Sequence, residues 1–146
     1  MIFGHKKRLI NRLLIVEDEP LIAFDNEIFL QNADYEIVAT VNSAEDALII
    51  LEKRQEKIDA ILLDYNLAGA ATGRDVAELA ATKNIKVLFV TGNCPDGVEH
   101  LAVGCLMKPY TQKQLLISLG AVERISAGKK PKNIPDTLKL FTRHQV

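Results

Sequence analysis

The chain has 146 residues, 48% of them hydrophobic and 25% charged, which is the size of one globular domain with a full core and leaves no room for a second folded domain. A formal net charge of -1 and a pI near 6.3 argue against nucleic acid as an electrostatic partner, and the basic clusters at 5–8 and 129–132 read as solvated arms. Cys94 and Cys105 lack a CxxC pattern and no long apolar segment or signal-peptide pattern is present, so the expectation is no membrane, a reduced cytoplasmic setting and two cysteines that serve as packing residues. His5, His100 and His144 are scattered without metal-ligand spacing.

After a basic N-terminal arm at 1–10, RLLIVE reads as a buried strand, and PLIAFDNEIFLQNA as a helix with Pro20 in its first turn. EIVAT is a second strand. The stretch SAEDALIILEKRQ opens with a capping-box-like Ser43 to Asp46 and runs as a helix into the apolar strand IDAILLD. A Gly-rich loop, LAGAATG, leads to the helix RDVAELAATK and the strand KVLFVT. The strand AVGCLMK and the helix TQKQLLISLGAVERI follow, with Leu115, Leu119 and Val122 as a core stripe and Leu116 and Ile125 alongside. Five βα units in alternation predict a doubly wound parallel sheet with helices on both faces. Between Thr91 and Lys108 only NCPDGVEH is left for a fourth helix. Pro95 and Gly97 break it, so one turn or a mobile loop is expected. The domain spans 11–127, and 128–146, rich in Lys and Pro before a short LKLF that either docks on an apolar face or stays loose, reads as a tail without an output domain.

Ligands of such sheets bind at the carboxyl ends of the strands. Glu17 and Asp18 end the first strand, Asp64 the third, Thr91 the fourth and Lys108 the fifth, so one sheet edge gathers three acids, a hydroxyl and an ammonium. Three carboxylates without a neutralising partner repel, and Mg²⁺ suits one or two of them with a carbonyl, here that of Asn66, and retained waters; Mn²⁺ is a substitute. With the metal, Asp64 becomes a nucleophile able to take a phosphoryl group. Lys108 offers a point charge to one phosphoryl oxygen, and the Thr91 hydroxyl with the backbone N–H groups of Asn66 and Gly92 serves the others. Gly92 lets backbone approach closely.

The segments VEDEP, ILLDYNL, VTG and MKPY resemble the signatures of the receiver domain of two-component response regulators, over roughly residues 11 to 127. The resemblance implies a flavodoxin-like receiver fold, a five-stranded parallel sheet in the order 2-1-3-4-5. It makes Asp64 the phosphoacceptor for a sensor histidine kinase's phosphohistidine, Glu17 and Asp18 metal-side acids, Thr91 the switch hydroxyl and Lys108 the phosphate-sensing lysine. Phosphorylation would draw Thr91 inward and reshape the face built from the fourth and fifth units. Asn66 and Asn93 stand where the family tunes phosphoryl lifetime, and their amides, able to hold a water in line, imply a short-lived phosphoform.

The chain departs from the receiver pattern at two residues. Glu17 stands where Asp is usual. Cys105 stands where receivers carry a switch aromatic, which leaves Tyr110 as its nearest replacement. FVTGN and KPY resemble the FAT GUY subgroup, often stand-alone receivers paired with kinases of the HWE or a related type, with Val90 and Asn93 departing from it. Leu21, Ile22, Phe24, Ile28, Phe29 and Leu30 make the first helix more apolar than one buried stripe requires, which points to a docking groove for a kinase helix pair or to extra contact with the N-terminal arm. The output is an unidentified downstream protein or a phosphate shuttle or sink. Against this stand a degenerate receiver used as a phosphorylation-independent binding module, and an α/β enzyme. Of the enzymes, a flavodoxin-like protein needs a Ser/Thr-rich loop after the first strand, and an aspartate-nucleophile phosphatase needs DxD where Asp64-Tyr65-Asn66 stands.

Overall fold

The computed structural model describes residues 8–53 and 55–141. Most of the expected basic arm at 1–10, with His5, and the last five residues of the tail, with His144, lie outside the described residues. Strands β1 (Arg12–Val16), β2 (Glu36–Val41), β3 (Ala60–Leu63), β4 (Lys86–Thr91) and β5 (Gly104–Met107) form a parallel sheet in the order β2-β1-β3-β4-β5. The order reverses beside β1, so a crevice opens at the carboxyl ends of β1 and β3.

Alternate residues of the buried strands feed two cores. Leu14, Val16, Ile61, Leu63, Val87 and Phe89 pack under helices α2 (Ala44–Lys53) and α3 (Gly73–Thr82). Leu13, Ile15, Leu62, Leu88, Val90 and Leu106 face α1 (Pro20–Asn32) and α4 (Gln112–Ser126), where Leu115, Leu119 and Val122 form the expected stripe. Leu116 and Ile125 are partly exposed instead. Local chemistry starts the helices where the sequence places them. Pro20 opens α1, the Ser43 hydroxyl accepts from the Asp46 N–H at 3.1 Å, and Thr72–Asp75 and Thr111–Gln114 close full capping boxes on α3 and α4. Gly73 is required by a close approach, since a Cβ there would lie 2.7 Å from the Tyr65 carbonyl oxygen.

In place of a fourth-unit helix the chain makes one 3₁₀ turn, Glu99–Leu101, as the two breakers dictate. Two sequence expectations need correction. The sheet has a sixth strand: β6 (Leu138–Leu140), inside the segment read as a tail, pairs antiparallel with β5, because Leu138 and Phe141 bury against the two cores and Gly104 leaves room for the Lys139 backbone. Cys94 and Cys105 are not separate packing residues; they are joined as a disulfide, their Cα atoms 6.0 Å apart.

Candidate functional site

The apolar strands stop where the polar side chains begin, and this places the site. Val16 ends β1 and Glu17 follows; Leu63 ends β3 and Asp64 follows, its N–H donating to the Val16 carbonyl at 2.9 Å. Thr91 closes β4, and the Lys108 N–H donates to its carbonyl at 2.9 Å. Carboxylate oxygens of Glu17, Asp18, Glu19 and Asp64 lie within 4.8 Å of one another. Lys108 Nζ reaches into this group, 3.1 Å from Glu17 Oε1, 3.0 Å from Glu19 Oε2 and 3.4 Å from Asp64 Oδ2.

Glu17 and Asp64 are each only 4% exposed, and Thr91 is fully buried. Burial pushes the Glu17 carboxyl up to about 7, against hydrogen bonds from the Glu19 N–H and the Lys108 ammonium. Asp64 is raised for the same reason, although the Asn66 N–H at 3.0 Å and the Lys108 charge work against it. Burial alone would lower Lys108, but its hydrogen bonds to Glu19 and Glu17 and the nearby carboxylate charges outweigh that and hold the ammonium above its ordinary range. One ammonium thus faces four acids. That donor set, hard oxygens with incompletely balanced negative charge, fits a divalent cation of the Mg²⁺ type.

The Asn66 side-chain amide donates to Thr91 Oγ1 at 2.8 Å, tying phosphoacceptor loop to threonine, while the Asn93 N–H approaches the same oxygen at 3.5 Å. The Asn66 N–H is engaged by Asp64 Oδ1. Among the described residues, and leaving aside its two chain neighbours, no atom lies within 4 Å of a Cβ built on Gly92, so no packing contact there demands glycine. Tyr110 turns toward α1, its hydroxyl accepting from Asn26 Nδ2 at 2.9 Å, and burial raises its pKa. Cys105 is buried in β5 and bonded to Cys94.

Two residues escaped the sequence reading. Glu19 is the third acid of VEDEP and its signal was there, two residues beyond Glu17. Asn26, 7% exposed, is the buried amide of α1, whose partner, Tyr110, lies 84 positions away, and no local pattern announces it.

The model of the response regulator receiver domain matches residues 13–119. The chain belongs to this family. Among curated proteins, this receiver is 29% identical over 109 residues to the two-component response regulator ORR26 of rice, covering 71% of this chain and 19% of that protein. It is 32% identical over 80 residues to the phyllosphere-induced regulator PhyR of Methylorubrum extorquens, covering 54% of this chain and 30% of that protein. This receiver therefore spans less than a third of the length of either relative. Among solved structures, the response regulator TrrA of Thermotoga maritima, in complex with Mg²⁺ and BeF, superposes with a TM-score of 0.68 at 25% identity, over 77% of this chain and 99% of that one. The N-terminal domain of a three-domain GGDEF regulator from Carboxydothermus hydrogenoformans gives 0.71 at 24% identity, over 81% and 98%, a likeness of fold.

Proposed function

We propose that this receiver accepts a phosphoryl group on Asp64 from the phosphohistidine of a sensor histidine kinase, in a reaction that needs Mg²⁺, and catalyses both this transfer and its own dephosphorylation. The observation that carries the reading is the meeting of Asp64, Glu17, Asp18, Glu19 and Lys108 at one sheet edge, with the buried carboxyls held above their ordinary range. Glu17, Asp18, Asp64 and the Asn66 backbone carbonyl are the residues that would hold Mg²⁺ or Mn²⁺, whose charge would offset that of the phosphoryl oxygens.

Asp64, deprotonated, attacks phosphorus; its O–P bond forms as the N–P bond to the kinase histidine breaks. The Lys108 ammonium, shared among three carboxylates, follows the charge to a phosphoryl oxygen. The Thr91 hydroxyl exchanges its bond from Asn66 for a phosphoryl oxygen, which moves the loop after β4 and signals to a downstream protein or a second phosphotransfer partner. Asn66 and Asn93, both beside Thr91, place amides where a hydrolytic water can be held, so the phosphoform is short-lived. Among the described residues no helix is long and apolar enough to cross a membrane, and we place the reaction in the cytoplasm beside the kinase. The FAT GUY-like FVTGN and KPY segments point to a kinase of the HWE type.

The test is labelling by a phosphorylated histidine kinase or acetyl phosphate. Wild type should take label only with Mg²⁺, and Asp64→Asn should take none. No label from any donor, with no affinity for Mg²⁺, would leave a phosphorylation-independent binding module.

A further inference from the structure

We infer that Cys94 and Cys105 are a redox-active pair that, when oxidised by a hydroperoxide, fastens the loop after Thr91 to the sheet and so slows the phosphoryl switch. The link to phosphorylation rests on the receiver reading above; the fastening of the loop stands apart from it.

The two cysteines occupy unlike places. Cys105 is fully buried in β5, in register opposite Phe89 of β4, and packs in the core that also holds Val98 and Phe141. It is a rigid anchor. Cys94 is half-buried, three residues after Thr91, in an irregular segment with Pro95 and a left-handed Gly97. Among the described residues, that segment's other ties between 92 and 97 are weak: the Asn93 N–H to Thr91 Oγ1 at 3.5 Å and an exposed Arg74 Nη1 to the Gly97 carbonyl at 3.4 Å, both at the limit of hydrogen-bond length. The disulfide is thus the strong constraint on the chain leaving the switch threonine. It closes a ring with a sequence separation of 11 residues and lowers the freedom of everything inside it. Cys105 also stands where other receivers carry a mobile aromatic, so here a covalent tie occupies the place of a swinging ring.

The chemistry balances. The Cys94 thiolate, the more accessible, attacks one peroxide oxygen; the O–O bond breaks, a sulfenic acid forms and water or an alcohol leaves. The Cys105 thiol attacks that sulfur, the S–S bond forms and a second water leaves. Two thiols lose two electrons and the peroxide gains two. A cytosolic disulfide is most often a transient redox sensor of this kind, which reconciles the bond with the cytoplasmic setting proposed above.

The full chain, reduced with a thiol or oxidised with hydrogen peroxide, should differ in intact mass by two hydrogen atoms. Amide hydrogen exchange over residues 92–103 should be about tenfold slower in the oxidised form. Cys94→Ser, half-buried and so tolerated by the fold, should exchange like the reduced protein after either treatment. Failure of peroxide to form the bond, or equal exchange in the two forms, overturns the pair as a lock. Labelling by acetyl phosphate should then be at least about threefold slower when oxidised, and indifferent to peroxide in Cys94→Ser. Equal labelling overturns the coupling to the switch. Absence of label in both forms overturns the receiver reading itself, while the exchange data still decide the lock.

Discussion

Glu17 carries one methylene more than the aspartate usual at its position, and its surroundings turn it into a pH-sensitive group. Burial raises its folded pKa to about 7, whereas the unfolded chain holds it near the ordinary glutamate value. Between those limits the folded protein binds the extra proton, so the stability due to Glu17 is fully present below the unfolded pKa and is lost as pH rises through 7. The metal-free protein should therefore lose about 2 kcal/mol between pH 5 and pH 8 on this account, a figure reduced for the charge shared with Lys108. Denaturant melts at the two pH values check it. Glu17→Gln should flatten the profile, and an unchanged slope would remove Glu17 as the cause. The opposite trend should hold for Mg²⁺, which competes with that proton and should bind more tightly at pH 8 than at pH 6, read by calorimetry.

At the level of elements, the tail strand β6 depends on a residue elsewhere in the chain. A Cβ on Gly104 would stand 2.6 Å from the Lys139 carbonyl oxygen and 3.3 Å from the Leu140 Cα, both backbone atoms that cannot swing aside. Gly104→Ala should therefore push β6 off β5 and cost about 1–3 kcal/mol, as overpacking does. In hydrogen exchange the Met107 and Phe141 amides, which donate to Thr137 and Val103 across this edge, should lose protection first; retained protection would show that the edge relaxes around the methyl. The same strand marks a limit of sequence reading. The five parallel strands were legible because each is a near-continuous apolar run, and the shortened fourth unit because Pro95 and Gly97 sit in too few residues. LKLF was not, since a short strand behind two prolines has no periodic signal and acquires its meaning only from the groove at Gly104. Glu17, Asp18, Asp64, Thr91 and Lys108 were legible as punctuation at strand ends, whereas Glu19, one residue further into the turn, was not. The Cys94–Cys105 bond and the Asn26–Tyr110 pair were not, because both depend on distances that only the packed sheet and helices set.

At the scale of the whole molecule, the two most exposed large apolar side chains among the described residues stand on the helix that leaves the polar site. Leu21 is 80% exposed and Phe24 61%, on the helix that leaves the acidic pocket, and Ile28 extends the row. Beside them a cavity of about 490 Å³ lies between α1 and the loop after β5, lined by Ile22, Asn26, Pro109 and Tyr110, with Glu19 and Lys108 at the pocket end. A histidine-bearing helix laid on this apolar row would present its phosphohistidine to Asp64 without disturbing the α2–α3 face or the cystine. Phe24 carries little of the fold, so Phe24→Ala should change stability by no more than about 0.5 kcal/mol, the range of surface substitutions. It should nevertheless slow transfer from the kinase by about tenfold, the loss expected when an apolar anchor is truncated. Acetyl phosphate makes no use of that surface, and its labelling rate should be unchanged. If both donors slow equally, Phe24 acts through the pocket rather than through docking; if neither slows, the kinase approaches from another side.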